Sequence, residues 1–343
     1  MANDGLVSVI MSTYNDGKYL KEAIQSILWQ TYNNIEIILI DDCSTDNTEE
    51  IIGYFDDERI HYYKNDVRCG LTKNLNKALD MATGQYVARM DADDISFPTR
   101  FEKQMSYLEG NDYSLIGAGI QEFGQRSNAW IPSSDSEELK VNLLFNTALP
   151  HPTFFFKREI VDKGFRYDEQ FRYAQDYDFL FRVSQKYKIS CAPEVLLNYR
   201  VHKKQVTLGK NTDQRACAES IRKKNLESLG ISLSESEWKA FNHACYLGAH
   251  FDFQRIDDLI NTDKVIIKLA QRLKELAIYN TDMIDEIFTI WFSHQVCLLD
   301  LAGREQYIES HKHERVRRAL GRAIWNFAYL DKNKVDWIEK NEE

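Results

Sequence analysis

The 343-residue chain carries 53 Asp and Glu against 43 Lys and Arg, a formal net charge of −10, with 43% hydrophobic and 12% aromatic residues. Only 5 prolines and 15 glycines exclude collagen-like and low-complexity classes. The acid excess excludes a general nucleic-acid binder, and an anionic ligand would have to be bound against an unfavourable overall field.

Val7 to Thr13 is a short apolar run suited to a buried strand. Leu20, Ala23, Ile24, Ile27 and Leu28 then share one face of a helix over Lys18 to Gln30. Ile35 to Asp41 reads as a second, β-branched strand, and Ser44-Thr45-Asp46 as the cap of a helix through about Phe55. Ile60 to Lys64 is a third strand. Thr72 to Thr83 reads as a helix closed by Gly84 in the left-handed conformation. Gln85 to Met90 is a fourth strand, running into Asp91-Ala92-Asp93-Asp94; Pro98 opens a further helix and Gly110 closes it. Such alternation predicts an α/β fold with a mostly parallel sheet, whose ligands gather at the carboxyl ends of the strands.

From Tyr113 to His202 the spacing predicts strands near Ser114 to Phe123, Thr153 to Phe156 and Val195 to Val201, and helices at Ser136 to Asn146 and Asp176 to Lys186. Beyond the polar stretch Lys203 to Gln214 the pattern is helical throughout, so the expected division is 1–210 and 211–343. The six cysteines, Cys43, Cys69, Cys191, Cys217, Cys245 and Cys297, form no C-x-x-C pair; reduced thiols in the cytoplasm are expected. Asp4 stands where a signal peptide would be basic, and the most apolar helical candidate, Ile287 to Leu299, is interrupted by Thr289, Ser293, His294 and Gln295. No membrane span is expected, because none reaches the ~20 apolar residues required.

Three strands end in acidic or polar loops: Thr13-Tyr14-Asn15-Asp16, Asp41-Asp42-Cys43-Ser44 and Asp91-Ala92-Asp93-Asp94. Parallel neighbours would bring them to one rim, where a hard divalent cation offsets their repulsion and bridges phosphates. Acids such as Asp46 or Asp94 equally suit helix caps. Neither G-x-G-x-x-G nor a P-loop is present, so no glycine-rich turn cradles a phosphate.

The runs Val7 to Asn15 (VSVIMSTYN), Ile24 to Tyr32 (IQSILWQTY), Ile40 to Asp46 (IDDCSTD), Met90 to Asp94 (MDADD) and Pro98 to Gln104 (PTRFEKQ) resemble the family 2 glycosyltransferases of the GT-A fold. His151-Pro152-Thr153, Gln175 to Asp178 (QDYD) and Tyr199 to His202 (YRVH) extend the resemblance over about residues 6–207. It implies that Thr13, Tyr14 and Asn15 line a nucleotide base pocket and that Asp42 accepts from a uracil N–H. Asp91 would lie near the ribose or a metal-bound water, Asp93 would ligate Mn²⁺ or Mg²⁺, and His202 would complete that site. Asp176 matches the catalytic base, preceded by Gln175 where relatives often have Glu.

The chemistry of the residues agrees with this resemblance. A cation held by Asp93 stabilises a departing diphosphate, and Asp176, opening a helix, suits proton removal from an acceptor hydroxyl. The alternative for Asp176 is a helix N-terminal acid favoured by the dipole. Arg68 and Lys73 suit either diphosphate neutralisation or a solvated surface, and Arg89 falls on the Asp91 face as a candidate ion-pair partner.

The expected activity is inverting, metal-dependent transfer of a sugar from a nucleotide sugar, UDP-linked, to a carbohydrate or lipid-linked acceptor in surface polysaccharide assembly, with no nucleic-acid partner. A sugar-phosphate nucleotidyltransferase and a non-catalytic nucleotide-sugar-binding subunit are the alternatives, the latter because of Gln175. The basic run Lys312 to Arg322, followed by Trp325, Phe327 and Tyr329, makes 311–330 either a peripheral membrane-surface helix or an ordinary terminal helix. The C-terminal helices are also a candidate homo-oligomer contact.

Overall fold

The computed structural model describes residues 5–202, 211–245 and 256–288. The strands are β1 (Val7–Thr13), β2 (Ile35–Asp41), β3 (Ile60–Lys64), β4 (Tyr86–Asp91), β5 (Ile95–Ser96), β6 (Leu115–Gly124), β7 (Ala129–Trp130), β8 (Phe155–Lys157) and β9 (Ile189–Val201). They form one sheet in the order β3-β2-β1-β4-β8-β6-β9-β5, with β7 hairpinned on β6. β3, β2, β1 and β4 run parallel; β8 is antiparallel to β4 and β6, and β9 runs parallel to β6.

Sequence alternation separates the two faces of the parallel half. Val7, Val9 and Met11 of β1 join Ile35, Ile37 and Leu39 of β2, and Ala88 and Met90 of β4, in one core with Leu20, Ala23, Ile24 and Ile27 of helix α1 (Gly17–Leu28). Helix α3 (Leu71–Met81) packs on the other side, where its Asn74 amide donates to Ser12 Oγ at 3.1 Å. Helices on both faces explain why these strands read as continuous apolar runs. Each fully buried Leu or Ile on α1 contributes about 1.5–3 kcal/mol.

Register aligns the strand ends that carry chemistry. Thr13 pairs with Asp41 across β1 and β2, and Ser12 with Asp91 across β1 and β4. β5 pairs with β9 through Ile95 and Asn198, which brings the Asp91–Asp94 loop against the end of β9.

The remaining helices of the first unit are α2 (Thr48–Ile52), α4 (Arg100–Gly110), α5 (Ser136–Asn142), α6 (Glu159–Asp162) and α7 (Gln175–Ser184). After them come α8 (Asn211–Ser228), α9 (Glu235–Cys245) and α10 (Ile256–Leu276). The chain groups into two compact units that divide between Asn225 and Leu226. In the second unit α9 and α10 pack together, with Phe241, Ile266, Leu269 and Leu273 buried. The expected boundary at 210, Cys297 and the basic run 311–330 lie outside the described residues, as does most of Ile287 to Leu299. No helix among the described residues is long and apolar enough to cross a membrane.

Several local expectations are corrected. Gly84 is not a left-handed helix stop: α3 ends at Met81, and a Cβ on Gly84 would sit 2.5 Å from the Leu6 carbonyl oxygen. Close approach to β1, not φ, requires glycine there. α4 ends at Gly110 as expected but begins at Arg100, two residues after Pro98. The expected helix of Ser136 to Asn146 ends at Asn142, and the one reaching Phe55 covers only Thr48–Ile52.

Candidate active site

The β1 and β2 loops are laced together by side chains. Asn15, at φ 58, donates its N–H to Ser44 Oγ (3.0 Å) and accepts from the Thr45 N–H on Oδ1 (2.8 Å). Asp46 accepts from Gly17 N–H (3.1 Å) and Thr48 N–H (3.0 Å), so one residue ahead of the α2 N-cap it ties the start of α2 to that of α1. Asp16 accepts from the Thr13 hydroxyl and the Tyr14 N–H, both at 3.1 Å. Burial nevertheless raises the Asp16 pKa, with Asp91 and Asp46 adding to the rise.

Asp42 organises the loop that leads into α3. Its carboxylate accepts from Cys69 N–H (2.7 Å), Gly70 N–H (2.9 Å) and the Asn65 amide (3.2 Å). Burial alone would raise its pKa, but these donors together with the Asn74 amide outweigh burial and lower it, so Asp42 is a fixed anion. Gly70 presents its N–H at φ 92, a conformation that disfavours any side chain. The same loop lays the Arg68 guanidinium 3.8 Å from the centre of the Tyr14 ring, with its Nε 3.8 Å from Asp42 Oδ2.

At the end of β4, carboxylate oxygens of Asp91, Asp93 and Asp94 lie within 4.8 Å of one another. Arg89 grips Asp91 with both terminal nitrogens, as its position on the same strand face anticipates. His202 Nε2 lies 2.9 Å from Asp93 Oδ2, and the Tyr19 ring packs 5.1 Å from the imidazole. Asp94 accepts from the Arg200 N–H at 2.8 Å, while its other carboxyl oxygen is buried without a partner. The Arg200 side chain donates to the Asp93 carbonyl at 2.7 Å and pairs with Glu22.

Burial and the neighbouring Asp91 charge push Asp93 up to about 6, against the His202 hydrogen bond, and push Asp94 well above the carboxylate range. A divalent cation fits this donor set. It would satisfy the orphaned Asp94 oxygen or its neighbours, offset the crowded charge, and find oxygen ligands with one imidazole.

Asp176 sits in the first turn of α7, after Ala174 in the left-handed conformation (φ 56, ψ 22). Burial raises its pKa, the Tyr177 N–H and Arg89 oppose the rise, and Asp91 adds to it. The charges of Arg89 and Asp91 at the end of β4 thus reach Asp176. Behind it, His151 Nε2 and Tyr167 Oη lie 2.9 Å apart in the core, and burial holds His151 neutral by driving its pKa well down.

The structure therefore groups Asp91 and Asp93 with His202, and Tyr14 with Asp42 and Arg68; Thr13 and Asn15 use their side chains to shape the loop between these groups. Lys73 is exposed in the first turn of α3 and takes no part in either hydrogen-bond network. Sequence reasoning gave no role to Asp16 or Arg200. The signal for Arg200 was its position in the Tyr199-Arg200-Val201-His202 run.

Three comparisons with known proteins agree with this geometry. The family described as Glycosyl transferase family 2 matches residues 8–165. The chain is 36% identical over 250 residues to an uncharacterised glycosyltransferase of Methanocaldococcus jannaschii, covering 70% of this chain and 82% of that one. It is 33% identical over 208 residues to the O-antigen biosynthesis glycosyltransferase WbnJ of Escherichia coli, covering 58% and 81%. Among solved structures, Staphylococcus aureus TarS in complex with UDP-GlcNAc aligns with TM-score 0.56 at 17% identity over 89% of each chain. The mannosyltransferase PcManGT of Pyrobaculum calidifontis, in complex with GDP-Man and Mn²⁺, aligns with TM-score 0.51 at 17% identity over 93% of this chain and 87% of that one. At such identities the structural likeness shows the GT-A fold. The chain belongs to the family 2 glycosyltransferases.

Proposed function

We propose that this glycosyltransferase moves a sugar from a UDP-linked donor to a hydroxyl of a carbohydrate or lipid-linked acceptor, with inversion and with a divalent cation. The observation that carries the reading is the pairing of the β4 acid cluster, with its orphaned Asp94 oxygen, and a base candidate of raised pKa in the same field. Asp93 and His202 would hold Mn²⁺ or Mg²⁺, which supplies Lewis-acid stabilisation of charge on the departing diphosphate.

The remaining work falls to the chain's own groups. Tyr14 offers a face for the base and Arg68 a cation above it, while Thr13 and Asn15 fix the loop that carries Tyr14. Asp42, fixed as an anion by the loop, offers its carboxylate to a pyrimidine N–H. Asp91, oriented by Arg89, faces the ribose side, and Lys73 reaches from α3 toward the diphosphate. Asp176 takes the acceptor proton as the hydroxyl attacks; its raised pKa brings it nearer the operating pH, where a general base works best. Base and leaving group on opposite sides of the anomeric carbon give inversion.

The domain assignment that accompanies this reading is a transferase over 1–210 and a helical region over 211–343. The relative named for O-antigen biosynthesis supports surface polysaccharide assembly as the setting. The cysteines of the described residues are free, which supports a cytoplasmic location.

A nucleotide-sugar panel with Mn²⁺, read by donor hydrolysis and thermal shift, tests the proposal. Turnover of a UDP-sugar, lost on chelation, is expected. Pyrophosphate release from a sugar phosphate plus nucleoside triphosphate would indicate a nucleotidyltransferase instead. Tight UDP binding without turnover of any donor would leave a binding subunit.

A further inference from the structure

We propose that Lys224 is a positioning residue for the general base, fixing the segment that carries Asp176 through simultaneous ion pairs to Asp168 and Asp178. The proposal rests on the reading of Asp176 as that base.

Lys224 Nζ lies 2.7 Å from Asp168 Oδ2 and 2.8 Å from Asp178 Oδ1, and 5.1 Å from the centre of the Phe171 ring. It thus touches the approach to α7 at two places and α7 itself at a third. Asp178 follows Asp176 by two residues, about 200° around the helix, so the two carboxyls point to opposite sides. The Asp178 side chain is wholly buried and also accepts from Arg182 Nε at 2.8 Å.

The other flank of this segment is held by α3. Thr72 donates its hydroxyl to the Phe171 carbonyl at 3.0 Å, and Asn76 exchanges two hydrogen bonds with the Tyr167 backbone, both at 2.9 Å. Between these flanks the chain passes through Ala174 in the left-handed region, which an L residue keeps only where its surroundings over-determine it. Lys224 supplies the determinant on the α8 side.

Deleting the Lys224 charge leaves Asp178 paired with Arg182, so no buried carboxylate is stranded. What disappears is the link between Asp168 and α7, and with it the placement of the turn before Asp176. Lys224, like Asp176, lies beyond residues 8–165, the stretch matched by the family.

The test uses the full chain, with Lys224→Met, Lys224→Arg and Asp176→Asn. The probe is whichever of UDP-glucose, UDP-galactose, UDP-N-acetylglucosamine and GDP-mannose the unmodified protein hydrolyses fastest. Lys224→Met is expected to lower kcat about 10- to 100-fold with donor KM within about twofold, since small displacements of a catalytic group cost rate on this scale. Lys224→Arg should restore most of kcat, and amide exchange should quicken over 168–176 but not over 65–70 in Lys224→Met. In the Asp176→Asn background Lys224→Met should change the residual rate no further, as expected for coupled residues.

Wild-type kcat in Lys224→Met, or an equal fall in the Asp176→Asn background, overturns the positioning role. An inactive Asp176→Asn beside a fully active Lys224→Met overturns it while leaving the base reading intact. A fully active Asp176→Asn removes both.

Discussion

Replacing Arg89 by methionine isolates the electrostatic problem on which the site is built. The Arg89 side chain is 3% exposed and Asp91 is 29% exposed, and two guanidinium nitrogens hold the two Asp91 oxygens. Deleting one partner of a fully buried pair costs about 3–5 kcal/mol; water reaches Asp91, so about 2–3 kcal/mol is expected here. In a folding unit of this size that lowers the melting temperature by about 5–10 °C. The backbone contact from Arg100 to the Arg89 carbonyl survives the change, so the strand itself keeps its anchor. Thermal unfolding followed by circular dichroism, in chelator at neutral pH, measures the effect. The double variant Arg89→Met/Asp91→Asn removes the stranded charge as well and should regain at least about 1 kcal/mol, because deleting both partners is far cheaper than deleting one. A double variant as unstable as Arg89→Met alone would show that the loss reflects packing rather than an uncompensated carboxylate.

Asp42→Ala unties the Asn65–Gly70 loop and removes the acceptor beside Tyr14. Calorimetric titration with UDP and Mn²⁺ should show affinity weakened at least about tenfold, which is about 1.4 kcal/mol. Unchanged affinity would separate Asp42 from the nucleotide pocket. The pH dependence of kcat should carry an acid limb set by Asp176. Burial raises its pKa and only its ionised form accepts a proton, so the rate should rise with pH through a midpoint above the ordinary carboxylate range. A limb at the ordinary value would argue that Asp176 is solvated when it acts.

The parallel half of the sheet was legible in the sequence because strands covered on both faces are mainly apolar: β1 departs from this only at Ser8, Ser12 and Thr13, and β2 only at Glu36 and Asp41. β9 was read as beginning at Val195, six residues late, for a physical reason. Ala118 pairs with Ala192 and Gly119 with Val195, so Pro193 and Glu194 bulge out of the ladder and interrupt the strand pattern. Gly84 misled because glycine serves two ends, left-handed turns and close approach, and only the structure shows the Leu6 carbonyl in its way.

The site divides in the same manner. Asp91 and Asp93 were legible because they end a strand, and Arg89 because alternation puts it on the Asp91 face. Asp94 looked like a helix cap; its contact with the Arg200 N–H follows from the β5–β9 pairing, which no local pattern reports. Lys224 left no trace in the sequence, since ion pairs 46 and 56 residues apart have no characteristic spacing.

The most direct measurement is single-turnover transfer by Asp176→Asn alongside its thermal shift with UDP and Mn²⁺. An unchanged shift is expected, with transfer slowed about 10²- to 10⁴-fold, the range a positioned general base contributes. Transfer at the unmodified rate would contradict the general-base role.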